Sequence, residues 1–229
     1  MPLFETSALF IMLYAYQKYS GNTAWAQQYQ PLLKGYADYL VTNSLSHRSQ
    51  LFTVDAIPPT ANQTALTIQS AIALQAASKL FTTDTVYAAK AQSFVQSIYY
   101  NALGLNGATL AQSSHFTYNY GKNNTWNVVF AAYSDVLLDL RTFPSAAWDM
   151  QSKWYLSQMQ GLGLPFSNPI TSANYTGTPV SWALSDWSKY SDTVVACQMA
   201  TDMTLQTLLP PALLRQRSRQ LSLTQLTSF

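Results

Sequence analysis

Charge is scarce in this sequence: only 10% of its 229 residues are Asp, Glu, Lys or Arg, where an average soluble domain carries about 25%. One glutamate is present, Glu5, with one cysteine, Cys197, and two histidines, His47 and His115. A single cysteine excludes an internal disulfide. Two distant histidines, with Cys197 inside an apolar stretch, argue against a zinc site built from the usual ligands, and no metal or cofactor is expected. Long apolar runs are also missing. The longest, Ala8 to Ala15, falls far short of the roughly 20 residues that cross a bilayer, so no transmembrane segment is expected. No cation precedes an apolar stretch after Met1, so no secretory leader is expected at that end. Of the twelve cations, Arg215, Arg217 and Arg219 fall near the C-terminus. The body before them has no excess of positive charge to meet phosphate, which argues against a nucleic-acid partner.

What replaces charge is hydroxyl and amide: 24 serines, 23 threonines, 11 asparagines and 19 glutamines, about a third of the chain. Aromatic residues make up 14%, too many for a disordered chain. Apolar residues recur at three- and four-residue spacing, the helical period. The spacing predicts a first helix ended by Gly21 and Asn22. A second runs from about Thr23 to Asn43, with Trp25, Tyr29, Leu32, Leu33, Tyr36, Tyr39 and Leu40 inward and Pro31 kinking it or starting its main body. Further helices are expected over 66–80, 86–100, 126–140 (capped by Asn124 or Thr125), 145–160 and 185–209. Long loops are expected at 44–63, 101–124 and 161–184. Helix, short turn, helix, long loop is the order of stacked αα-hairpins, and it predicts an all-α fold forming a bundle, a solenoid or an α/α toroid. In a toroid the long loops gather on one face, where loops 44–63, 103–125 and 161–187 would supply the functional residues.

Ten acidic residues can be weighed one by one. Asp38, Asp135, Asp139, Asp192 and Asp202 fall on polar helix faces and read as surface charges, and Asp84 reads as a cap. Asp149, near a helix start, suits the positive end of the helix dipole. Glu5, Asp55 and Asp186 remain. Hydrolysis of an amide or a glycosidic bond can use two carboxylates, one as acid and one ionised, and these three could form such a pair if a ring brings their loops together. Loop aromatics, among them Phe116, Tyr118, Tyr120, Trp126, Trp182 and Trp187, suit a pocket or a helical core. Three Asn-x-Thr sequons occur, at Asn62, Asn123 and Asn174, close to the number this composition yields by chance.

Several segments resemble, in order, the glutaminase A family of fungi. They are Met1-Pro2-Leu3-Phe4-Glu5-Thr6-Ser7 with Ile11-Met12-Leu13, Leu32-Leu33-Lys34 to Tyr39-Leu40, Ala61-Asn62-Gln63-Thr64, Tyr120-Gly121-Lys122-Asn123-Asn124-Thr125-Trp126, Asp149-Met150-Gln151 and Ser185-Asp186-Trp187. The resemblance implies αα-hairpins forming part of an (α/α)6 toroid, the six-hairpin shape shared with glycosidases, over residues 1–209. It implies extracellular hydrolysis of L-glutamine to glutamate and ammonia. It further implies Asp55, Asp186 and Glu5 as candidate acids and bases, with Gln63, Tyr120, Trp126 and Trp187 against a small-molecule substrate. Phe4 and Val54 stand where the family pattern has acids, and Ser7-Ala8 where it has Gly-Asn. Residues 210–229 diverge and read as a disordered basic tail. Part of a toroid would leave apolar faces for the rest of its own protein to cover. A glycoside-acting or carbohydrate-binding toroid and a non-catalytic remnant stay open as alternatives.

Overall fold

A computed structural model describes residues 2–50, 59–81, 85–104 and 109–158. Within them the chain forms helices α1 (Leu3–Ser20), α2 (Ala24–Gln28), α3 (Gln30–Asn43), α4 (Thr64–Leu80), α5 (Val86–Asn101), α6 (Ala131–Leu137) and α7 (Ser145–Gln158), with a 3-10 turn at Leu110–Gln112. Pairing between extended segments is limited, among the described residues, to isolated bridges. The all-α expectation holds.

Helix α4 is the centre of the molecule. Fourteen of its 17 residues are buried, and α1, α5 and α6 pack around it. Its sequence explains this: Leu66, Ile68, Ile72 and Leu74 point to several sides, and a helix apolar on every side belongs inside. Each such side chain contributes about 1.5–3 kcal/mol on burial. Alanines 65, 71, 73, 76 and 77 let the neighbours approach closely. Its polar groups are absorbed locally, with the Ser70 hydroxyl 3.1 Å from that of Ser7, and Gln69 Nε2 donating to the Phe4 carbonyl at 3.1 Å. These contacts place the N-terminal ends of α1 and α4 together.

Helix α1 ends at Gly21, which takes the left-handed φ of 72° and donates its N–H to the Gln17 carbonyl, the stop that Gly supplies at no steric cost. Pro31 lies in the first turn of α3 and separates it from α2, so the second expected helix is two. Leu33, Ala37 and Leu40 form the buried side of α3. Tyr29 and Leu32, expected inward, are instead exposed.

Two further expectations are corrected. Residues 126–130 are not helical. Trp126, Asn127, Val128 and Val129 are buried, and the Val129 N–H donates to the Tyr155 hydroxyl at 2.7 Å, a tertiary partner that replaces an intrahelical one. Helix α6 therefore begins only at Ala131, and Asn124 and Thr125 form a turn rather than a cap. Asp135, read as a surface charge, is buried. Beyond α6, Asp139 and Arg141 adopt left-handed φ values of 51° and 55° and turn the chain back. The Asp135 carboxylate then accepts from Thr142 N at 3.0 Å, Phe143 N at 3.2 Å and Trp148 Nε1 at 3.1 Å. Asp139 accordingly lies past the helix, paired with Arg141 Nε at 2.7 Å. The expected helix 185–209, Asp192, Asp202, Cys197 and the 210–229 tail lie outside the described residues, as does Asp84.

Candidate functional site

The described parts of the two long loops meet at the N-terminal end of α4, and the first of them also reaches that of α1. Glu5 stands exposed on the first turn of α1, beside the Leu3 N–H that donates to Gln50 Oε1 at 2.9 Å. Gln50 belongs to the 44–63 loop, whose ends are held by mutual hydrogen bonds between Gln50 and Thr60.

Gln63 knits this end together. It occupies the N-cap position of α4 in extended backbone, and its side chain does not cap the helix. Its Nε2 instead donates to the carbonyls of Gln50 at 2.6 Å and Thr60 at 3.0 Å, which fixes the amide orientation. Its Oε1 is buried without a partner. The Gln63 N–H donates to His47 Nε2 at 2.9 Å, so His47 carries its proton on Nδ1 and donates it to the Arg48 carbonyl at 2.9 Å.

The second loop adds Tyr118 to Thr125. Thr64 N–H donates to the Tyr118 carbonyl, Tyr120 N–H to the Asn62 carbonyl, and Asn119 Nδ2 to the Ala61 carbonyl at 2.8 Å. The Tyr120 hydroxyl lies 2.9 Å from the Leu45 carbonyl and 2.8 Å from Thr67 Oγ1, and burial pushes its pKa up to about 12. It is a fixed neutral donor at any physiological pH.

Behind this layer lies an aromatic wall. Trp126 is buried, with ring centroids 6.4 Å from both Trp154 and Tyr155. His115 stacks on Trp154, accepts at Nδ1 from the Ser114 hydroxyl at 2.7 Å, and donates from Nε2 to the Thr125 carbonyl at 3.0 Å.

Of the residues singled out from sequence, Glu5, Gln63 and Tyr120 therefore share one end of the fold, and Trp126 lies deeper, in the core. Asp55, Asp186 and Trp187 lie outside the described residues. Asp149 is half-buried in the second turn of α7. Sequence reasoning missed Gln50 and Asn119, which hold the two loops in place. Neither belongs to a motif; only the bonds across the fold reveal them. Among the described residues no group of His, Cys, Asp and Glu could hold a metal ion, and no helix is long and apolar enough to cross a membrane.

Residues 1–222 match the family model of the glutaminase A six helical-hairpin domain. Over 212 residues the chain is 30% identical to Glutaminase A of Aspergillus oryzae, an alignment covering 91% of this chain and 29% of that protein. The chain thus spans less than a third of the length of this curated relative. No solved structure matches.

Proposed function

The chain belongs to the glutaminase A six helical-hairpin family, and from that premise we propose that it serves a glutaminase-type amide hydrolase, releasing ammonia and glutamate from L-glutamine outside the cell. The observation that supports the reading is the meeting of the two loops at the start of α4, with the first of them also bonded to the first turn of α1, which carries Glu5.

Hydrolysis of a carboxamide needs a base to take a proton from water and an acid to give one to the departing nitrogen. Water oxygen bonds to the amide carbon, the carbon–nitrogen bond breaks, and ammonia leaves. Glu5, Asp55 and Asp186 are the proposed acid and base groups. Gln63 and Tyr120, with Trp187, are the proposed substrate contacts, and Trp126 supports the turn that carries Tyr120. The rest of the six-hairpin ring is the proposed partner. Helix α1 supports this, because it carries no charge between Glu5 and Lys18 and yet leaves Met12 61%, Tyr16 51% and, just beyond, Tyr19 64% exposed, a face suited to another hairpin.

A second reading rests on Phe4 and Val54, which stand where acids occur in the resembled pattern: a non-catalytic remnant. Ammonia release from L-glutamine by the full-length protein separates the two. In the hydrolase reading Glu5→Gln, Asp55→Asn and Asp186→Asn lower kcat about a hundredfold or more; unchanged rates in all three would remove these assignments. Release of reducing sugar from oligosaccharides with no ammonia from glutamine would turn the reading to glycosides.

A further inference from the structure

The sequons at Asn62 and Asn123 lie within the described residues and have opposite surroundings. Asn62-Gln63-Thr64 runs into the N-terminus of α4. Asn62 is half-buried at φ 54°; its N–H donates to the His47 carbonyl, and its carbonyl accepts from Tyr120. Gln63 and Thr64 are both buried, and the Thr64 hydroxyl lies 3.3 Å from that of Thr117. Asn123-Asn124-Thr125 forms the tip of a turn. Residues 121–124 are all exposed, Gly121 takes the left-handed φ of 69° the turn requires, and Thr125 N–H closes it on the Lys122 carbonyl at 2.9 Å. The Thr125 hydroxyl ties down the base of the turn, donating to the Lys122 carbonyl at 2.7 Å and accepting from the Tyr118 N–H at 3.1 Å.

We infer that Asn123 is an N-glycosylation site of this protein and that Asn62 stays unmodified. In the transfer, Nδ2 of Asn123 bonds to the anomeric carbon of an oligosaccharide carried on a polyprenyl diphosphate. The carbon–oxygen bond to the diphosphate breaks, Nδ2 loses a proton, and the lipid diphosphate departs. The sequon is read on the extended chain, and the Thr125 hydroxyl takes its place at the base of the turn as the fold closes. A sugar on Asn123 then keeps every hydroxyl in water. Asn62 is half-buried and its backbone is bonded to the His47 and Tyr120 segments, so a sugar added there to the extended chain would have to be partly enclosed as the fold closes; a hydroxyl buried without a partner is costly, and the folded protein is therefore the one that lacks it. Because Tyr118 and Tyr120 join the turn to the start of α4, the oligosaccharide would stand at the rim of the face that carries Tyr120, beside the candidate site rather than in it.

The inference shares with the proposed function only the need for passage through a glycosylating compartment, and its test supplies that passage. The whole chain is secreted from a eukaryotic host behind a leader, or translated into microsomes if secretion fails. An endoglycosidase that converts linked Asn to Asp is applied in heavy-oxygen water, and the peptides are mapped by mass. The expected result is heavy Asp at position 123, none at 62, and a mobility shift that Asn123→Gln abolishes. Position 123 unmodified, or position 62 modified, overturns it. Ammonia release from the full-length protein and its Asn123→Gln variant is read separately, so a glycosylated but inactive protein counts against the hydrolase reading alone.

Discussion

The indole of Trp154 lies on the imidazole of His115, ring centroids 4.1 Å apart and planes 22° from parallel. The Thr125 carbonyl accepts from Nε2–H and the Ser114 hydroxyl donates to Nδ1, so the ring is neutral with its tautomer set. This one stack joins α7 to the loop that carries Tyr120, and several measurable consequences attach to its neighbourhood.

Burial lowers the His115 pKa from 6.5 to about 4, partly opposed by the Thr125 carbonyl. The folded state therefore favours the neutral ring. The stability this represents is fully present above pH 6.5 and is lost as the pH falls towards 4, on the order of 3 kcal/mol in all. Urea unfolding at pH 7.5 and at pH 4 should show the loss, and His115→Phe should remove that part of the slope. A variant with the same slope would assign the effect to another group.

Gly104 is the second consequence. A Cβ there would collide with His115 Nε2 and Cε1, and the stacked ring has little room to move. Gly104→Ala should destabilise by about 1–3 kcal/mol. Gly35, inside α3 with nothing near its Cβ position, should respond oppositely, Gly35→Ala stabilising by about 0.5–1 kcal/mol. Thermal unfolding of the two variants side by side checks the contrast in sign.

Asp135 accepts from three donors in a buried site. Asp135→Ala strands the N–H groups of Thr142, Phe143 and Trp148, and a loss of about 3 kcal/mol or more is expected. Trp148 fluorescence and the urea midpoint should report it together, and an unchanged midpoint would mean that the 138–143 turn holds without its carboxylate.

Tyr120→Phe removes a hydroxyl held by the Leu45 carbonyl and Thr67 Oγ1 and should cost about 1–2 kcal/mol. If Tyr120 also contacts substrate, KM for glutamine in the full-length protein rises as well. A stability loss with KM unchanged restricts the residue to holding the two loops together.

Glu5, Gln63 and Tyr120 show how far a linear reading reaches. Counting acids singled out Glu5, and the loop pattern placed Gln63 and Tyr120 near one another, because loop length and helix period are local properties. That Gln63 spends its amide on the Gln50 and Thr60 carbonyls, and that Trp126 packs in the core beside Trp154 and Tyr155, depends on segments brought together only by folding.

The sequence by itself determined the helices and their stops: the apolar period of α4, Gly21 with its left-handed φ, Pro31 at the head of α3, the scarcity of charge. These are decided within a few residues, by backbone sterics and side-chain spacing. The tertiary structure alone decided that residues 126–130 stay outside helix α6 and that Asp135 is buried. The Trp126 segment has helical spacing, but the Val129 N–H finds its partner in the Tyr155 hydroxyl and the side chains around it are buried in the core, so the helix waits until Ala131. Asp135 has the look of a surface charge until the turn at Asp139 and Arg141 brings three donors to it, and a carboxylate so satisfied can stay inside.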